Sequence, residues 1–350
     1  MMAHFGAQAP NGTAVQELEV LVRTAIFKPA NALVGVLLPQ AADRIAVSAR
    51  QIQRVVQRVG QDAQQWQERE VQPSTCAPDR VPIMYVSGDG SGVPMRKEEL
   101  EGRAGKQADG TAKTRQAYWG CVFTPPRTDE KGHPVRDWES TTYVSSMAGI
   151  EDFGPCLRRE ALRRGLGGAE QVVLLIDGAA GLENMGLSCF RGCVQIVDFF
   201  PAMEHASDVL EALLGSKQHP EYKTRLRRWA KRLLKNGVEN LIAQTRQETI
   251  AGGRSAAVEE PLGYFTHNVE RMQYGTFRRQ GFFIGSGVIE AGCKTVIGSR
   301  CKQSGMHWSK SGAENILALR CIHASRRLNQ FWKHRLNDHA ARNDALPLAA

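Results

Sequence analysis

Three carboxylates stand where the chain could hold divalent cations: Asp89, Asp177 and Glu290. Asp89 follows the apolar run Pro82 to Ser87 and lies within Gly88-Asp89-Gly90-Ser91-Gly92. Asp177 follows the apolar run Gln171 to Ile176 and precedes Gly178. Strand ends in an α/β sheet are where ligands are met, and glycine lets the backbone come close to them. Glu290 sits in Gly285-Ser286-Gly287-Val288-Ile289-Glu290, where a helical pattern begins. Ile289, Cys293, Val296 and Ile297 make one apolar stripe of that helix. Glu290 falls about 100° from Ile289, at the edge between core and cleft. Three carboxylates on separate rigid elements suit two Mg²⁺ (or Mn²⁺) ions, which take a few carboxylates plus water and substrate phosphate. Such a pair would activate the attacking oxygen and stabilise the leaving one in phosphodiester cleavage. Each feature has a plainer reading: Asp-Gly is a common turn, and Glu290 suits a solvated helix face.

Basic side chains follow the acids. Lys294, Arg300, Lys302, Gln303, Ser304, His307 and Trp308 form a polar run behind Glu290, with side chains fit for phosphate. Tyr222 to Lys235 carries Lys223, Arg225, Arg227, Arg228, Lys231, Arg232 and Lys235 and no acidic residue. Leu226, Trp229, Leu233 and Leu234 form the opposing apolar stripe. This helix suits either a phosphate-facing surface or a solvated face. Near the N-terminus, Ala41 to Ile45 and Ala49 to Val59 read as two helices, with Ser48 as cap of the second. Ile52, Val55, Val56 and Val59 share one side of it, against Arg50, Gln51, Arg54 and Arg58. That is the size and chemistry of a helix-turn-helix, with Arg54 on the DNA-reading helix. An amphipathic pair that packs or dimerises is the alternative.

The elements needed to position these groups read as an α/β chain. Val81 to Ser87, Gln116 to Phe123, Ser140 to Ser146, Gln171 to Ile176 and Cys193 to Val197 are strands, the last ending in Asp198. Glu151 to Arg164 is a helix, and the chain is helical from Phe200 to about Gln247. The order fits a mixed five-stranded sheet of the RNase H type. Residues 61–80 read as a linker, Lys97 to Thr114 and Gly252 to Pro261 as loops. Ala313 to His334 reads as one helix exposing Arg320, Arg326, Arg327 and Lys333. The implied units are a helical region and linker (1–75), a first core part (76–200), a basic helical insertion (201–279), a second core part (280–335) and a tail (336–350).

The 350 residues are 42% hydrophobic and 23% charged, enough for a sizeable core and more than one domain. The formal net charge of +9 and a pI near 9.2 favour a polyanionic partner. No apolar run of about 18 residues is present and the N-terminus lacks a signal pattern, so a soluble intracellular protein is expected. The eight cysteines form no CxxC pair, which favours reduced, packed thiols over a zinc site.

The chain resembles the DDE transposases of bacterial insertion sequences, of the ISKra type. The resemblance rests on Val86-Ser87-Gly88-Asp89-Gly90, Val173 to Ala179, Ile196-Val197-Asp198-Phe199-Phe200, Glu204-His205, Gly285 to Glu290 and Lys302 to Ser309. It spans roughly residues 40 to 325. It implies an RNase H-like fold with Asp89, Asp177 and Glu290 as the metal-binding triad. It also implies a helical insertion in the 112 residues between Asp177 and Glu290. The implied chemistry is hydrolysis at an element end, then attack of the freed 3′-hydroxyl on target DNA. Lys294, Arg300, Lys302, Arg227, Arg228, Lys231 and Arg54 would contact DNA, and His205 would support the scissile phosphate. A homo-oligomer acting on DNA in the nucleoid, within the cytoplasm, follows. The chain departs from the pattern at Phe200-Pro201 and Ala180-Gly181-Leu182, and the resemblance leads one to expect a longer, cysteine-containing N-terminal region. A truncated copy that binds DNA without cutting it, or a structure-selective nuclease, are the rival functions.

Overall fold

The computed structural model describes residues 12–28, 48–69, 81–105, 107, 110–125, 127–128, 134–135, 140–252, 255–285 and 292–344. Five strands form one open sheet: β1 (Val81–Pro94), β2 (Thr114–Phe123), β3 (Thr142–Ser146), β4 (Ala169–Ile176) and β5 (Val194–Val197). Their order is β3-β2-β1-β4-β5. β2 runs antiparallel to β1 and β3, whereas β4 lies parallel to β1, and β5 to β4. A two-stranded ribbon, Arg127–Thr128 with Pro134–Val135, stands apart from the sheet.

Alternation along the strands sorts side chains to two faces. Met84, Val86, Leu174 and Ile176 face α3 (Ile150–Arg163) and α4 (Ala180–Cys189), packing with Phe153, Leu157, Leu182 and Met185. Tyr85, Trp119, Cys121, Val173, Leu175 and Ile196 face the other way, into the larger core. That core takes in α5 (Phe199–Leu214), α6 (Tyr222–Leu233), α7 (Val238–Gly252), α8 (Ser255–His267) and α9 (Tyr274–Arg279). Val296, Ile297 and the helix α10 (Lys310–Ala324) close the same side.

The N-terminal helices α1 (Gly12–Ala25) and α2 (Ala49–Arg69) pack against α10 and α11 (Leu328–Asp344). Val22, Val59, Ala63 and Trp66 bury against Leu319, Ile322, Phe331 and Trp332. Among the described residues, no helix is long and apolar enough to cross a membrane.

Several boundaries differ from the sequence reading. The expected linker begins instead as helix, because Ala63 and Trp66 continue the apolar stripe of α2 to Arg69. The expected loop at 252–261 is largely α8, with Pro261 inside it. The expected helix 313–334 is two helices, broken at Ser325 to Arg327, where Arg326 has a φ of 57°. α11 continues to Asp344, so the expected tail is helical over most of its length. Arg320 and Arg327, expected on the surface, are buried. The Arg320 guanidinium donates to the carbonyls of Val296 and Ile26 and, at 2.6 Å, to Ser299 Oγ. It thereby ties the end of α1 to the segment after Glu290. That segment is a π-helix, Cys293–Gly298, rather than an α-helical turn, a form that is frequent at functional sites. The first half of the expected helix-turn-helix, Ala41 to Ile45, lies outside the described residues.

Candidate active site

Strand register brings the two aspartates level. β1 and β4 pair in parallel with Ser87 opposite Leu175. Two residues on, just past the last paired residues, come Asp89 and Asp177, close enough for the Asp177 charge to act on Asp89. Both share the parity of Tyr85, Val173 and Leu175, so both side chains leave the sheet on the large-core face. Ile176 pairs with Val197, so Asp198 is level with Asp177 on the next strand. The ladder between β1 and β4 stops at Ser87, while β1 and β2 stay paired to Pro94, with Asp89 opposite Trp119. Asp89 therefore marks the end of pairing on one side of β1 only. Its carboxylate lies inside a longer strand than the apolar run predicts.

The charge state of Asp89 reflects this setting. Burial pushes its carboxyl above the ordinary range, and the negative charge of Asp177 adds to that. The Gly90 N–H, donating at 2.6 Å, and the Lys302 ammonium act the other way. Asp177 Oδ1 accepts the Ala179 N–H at 2.9 Å, in a turn for which Gly178 takes a φ of 87°. Asp198 is buried and caps α5, accepting the Phe200 N–H at 2.8 Å.

A third layer holds Asp177 from behind. The Tyr264 hydroxyl on α8 donates to the Asp177 carbonyl at 2.7 Å. Burial, and then the charges of Asp177 and Asp198, push this phenol well above its usual range, so it stays a donor. His205 on α5 stacks on the Tyr264 ring with centroids 3.6 Å apart, reaching the strand end through Tyr264 rather than directly. Asn268 Nδ2 donates to the Tyr264 carbonyl at 2.8 Å. Tyr264 and Asn268 escaped the sequence reading because Gly252 and Pro261 made the start of α8 look like a loop.

The expected phosphate contacts divide. Lys302 is exposed, and its Nζ donates to Ser91 Oγ at 2.7 Å, two residues from Asp89. Arg54 is exposed on α2. Lys223, Arg227, Arg228 and Lys231 are exposed on α6, and Lys235 just past its end. Arg225 is engaged with Glu221 and Glu248, and Arg232 donates to Gln244, which removes two of the seven cations from that face. Arg300 corrects the reading most: it is 7% exposed beneath Trp308, with its guanidinium 4.7 Å from the ring centroid. It lines a cleft instead of standing on the open surface as Lys302 does. Glu290 and the side chain of Lys294 lie outside the described residues. The chain is described again from Gly292, where an added Cβ would stand 2.8 Å from the Trp119 ring. Only glycine lets this backbone lie so close to the strand partner of Asp89.

Among the described residues, no group of three or more His, Cys, Asp or Glu is arranged to hold a metal ion. Two carboxylates, Asp89 and Asp177, lie close enough to interact by charge. Their oxygen donors and mutual repulsion suit a hard cation such as Mg²⁺. The six described cysteines are free thiols. No protein-family model matches the chain, and no curated protein matches it.

Proposed function

We propose that the protein is a DDE transposase with an RNase H-like core, cutting DNA at element ends and joining the 3′-hydroxyl to target DNA. The observation that carries this reading is that Asp89 and Asp177 follow the last pair of two adjacent parallel strands, with the charge of one acting on the other. The strand order and directions, three antiparallel strands extended by two parallel ones, support the RNase H-like assignment. Gly292, packed on Trp119, brings the chain back two residues after Glu290 on the face that Asp89 and Asp177 share.

Asp89, Asp177 and Glu290 would hold two Mg²⁺ (or Mn²⁺) ions, which supply an activated attacking oxygen and charge stabilisation at the leaving one. The chain's own residues hold and aim. Tyr264 and His205 fix the strand end that carries Asp177. Lys302, beside Ser91, offers a cation to a phosphate next to Asp89. The exposed cations of α6 would grip a flanking stretch of duplex through its phosphates. Joining two ends calls for a homo-oligomer on DNA.

The test is cleavage and joining of labelled DNA bearing the flanking inverted repeats, in Mg²⁺, by the parent and by Asp177→Asn. Cutting and a joined product from the parent alone support the proposal. Equal activity in the variant would remove Asp177 from the site. Cutting of branched DNA without joining would favour a nuclease, and binding without cutting by the parent a non-catalytic DNA-binding copy.

A further inference from the structure

A second basic site lies beyond the carboxylates. A cleft of about 460 Å³ opens between α2 and the segment Arg300 to Ser309. Five cationic or titratable side chains line it: Lys28, Arg50, Arg96, Arg300 and His307. No Asp or Glu lines it. The rim residues Lys28, Arg50, Arg96 and His307 are exposed. At the back is Arg300, 7% exposed. Its Nε donates to the Ala25 carbonyl at 3.4 Å and its Nη1 to Met306 Sδ at 3.6 Å, both long and weak. Trp308 stacks on the guanidinium and is itself fixed, its Nε1 donating to the Cys301 carbonyl at 3.1 Å. No described carboxylate pairs with Arg300.

A buried, unpaired guanidinium is costly to maintain. Burial even weakens its hold on its proton, lowering its pKa. Such a group aimed into a cleft of cations wants an anion from outside the chain. Several cations spread from rim to floor exceed what a single small anion needs. They match successive phosphates of a strand. We infer that this cleft binds the phosphodiester backbone of DNA, with Arg300 meeting one phosphate at its floor and Arg50 and Arg96 meeting neighbours at its rim.

The cleft has a fixed relation to Asp89. The Arg96 N–H donates to the Trp308 carbonyl at 2.9 Å, and the Trp308 N–H to the Pro94 carbonyl at 3.1 Å. These bonds pin the cleft to the far end of β1. Five residues of strand separate Pro94 from Asp89, about 17 Å at ~3.4 Å per residue. That is about five base-pair steps of duplex. Lys302, at Ser91, stands between them. The cleft would hold DNA flanking the scissile bond. The inference takes from the proposed function only that the polyanion is DNA.

The test measures binding of fluorescent oligonucleotides by anisotropy over a salt series, without Mg²⁺, using duplex and single-stranded probes. The test variant is Arg50→Ala/Arg96→Ala. Both side chains are exposed and neither pairs with a described acid, so the fold should survive, and an unchanged melting curve verifies that. The control is Arg158→Ala/Arg191→Ala, exposed cations away from the cleft. Each lost phosphate contact lowers the slope of log K against log salt by about 0.9 on duplex and about 0.7 on single strands. The expected loss is therefore about 1.8 or about 1.4 for the cleft variant, according to which probe it holds, and none for the control. A slope equal to the parent's, or an equal loss in the control, overturns the cleft site. If the parent cuts DNA while that slope is unchanged, the cleft inference fails alone. If the parent binds no DNA, both readings fail. Full competition by inorganic phosphate at the oligonucleotide's own concentration would make it a small-anion site and overturn the inference.

Discussion

Replacing Asp89 by Asn tests the carboxylate pair without any knowledge of the DNA substrate. In the metal-free protein, two negative charges act on each other just past the paired ends of neighbouring strands. Carboxylates with a separation on the order of 6–9 Å at an effective dielectric constant near 20 repel by roughly 2–3 kcal/mol. Partial exposure and salt reduce this to about 1–2 kcal/mol. Asn keeps the shape and removes the repulsion. Unfolding entropy of about 2.1 cal/mol/K per residue over 350 residues comes to about 0.7 kcal/mol/K. The metal-free variant should therefore melt about 1–3 °C above the parent. Mg²⁺ should reverse the order. A ligand at a hundred times its Kd stabilises by about 2.7 kcal/mol, or roughly 4 °C here, and the variant should lose most of that gain. The pH dependence has a definite sign. Asp89 binds its proton more tightly folded than unfolded, so its contribution is intact below the ordinary value of 3.8 and is lost as pH rises through the folded value. The variant's advantage should accordingly vanish in acid and be full at neutral pH. Differential scanning calorimetry with and without Mg²⁺ reads all three effects. A variant less stable than the parent without metal, or equally stabilised by Mg²⁺, would refute the paired-carboxylate site.

Two further outcomes test the packing and the thiols. Gly60→Ala would ordinarily favour a helix by about 1 kcal/mol, but here the new Cβ would sit 2.5 Å from Asn315 Cβ and 2.9 Å from its backbone. The variant should lose about 1–3 kcal/mol in urea unfolding by prying α2 from α10, and a more stable variant would show that the two helices do not meet there. Burial pushes the Cys193 thiol from 9.0 to about 11, so at pH 8 its thiolate fraction, and its alkylation by iodoacetamide, should be about 100-fold lower than for an ordinary thiol. Labelling at the rate of free cysteine, read by mass spectrometry, would exclude that environment.

Much of the sheet was legible because its strands obey local rules. Val172 to Ile176 is a continuous apolar run, as a strand buried on both faces must be, and Cys193 to Val197 is apolar but for Gln195. β1 was read too short because Gly88-Asp89-Gly90-Ser91-Gly92 carries the composition of a turn, while pairing with β2 holds it extended to Pro94. α8 was missed for a related reason: Pro261 breaks a helix on propensity, but Val258, Leu262 and Phe265 are buried, and that packing prevails. The buried arginines were the least legible. Arg300, Arg320 and Arg327 are charged residues on helical or turn segments, and charge alone assigns them to the surface. Their interior places depend on distant partners, the carbonyls of Ala25 and Ile26 and the ring of Trp66. No spacing rule within one segment reveals such partners.

The candidate site shows the same division between local and distant information. That Asp89 and Asp177 each follow an apolar run is a local fact, and so is the glycine beside each. That they meet is a fact about register. A slip of β4 by one residue would turn Asp177 to the face occupied by α3 and α4. Two contacts oppose that slip. The buried Ser87 hydroxyl donates to the Leu175 carbonyl across the β1–β4 ladder. On the other face, a Cβ at Gly186 would meet the Leu174 side chain, so α4 lies directly on β4. The residues that hold the register, Ser87 and Gly186 among them, are thus uncharged. They set which face the acids share, and the larger core, with Gly292 on Trp119, supplies on that face the segment that follows Glu290. Chemistry at these strand ends rests on contacts deeper in the strands.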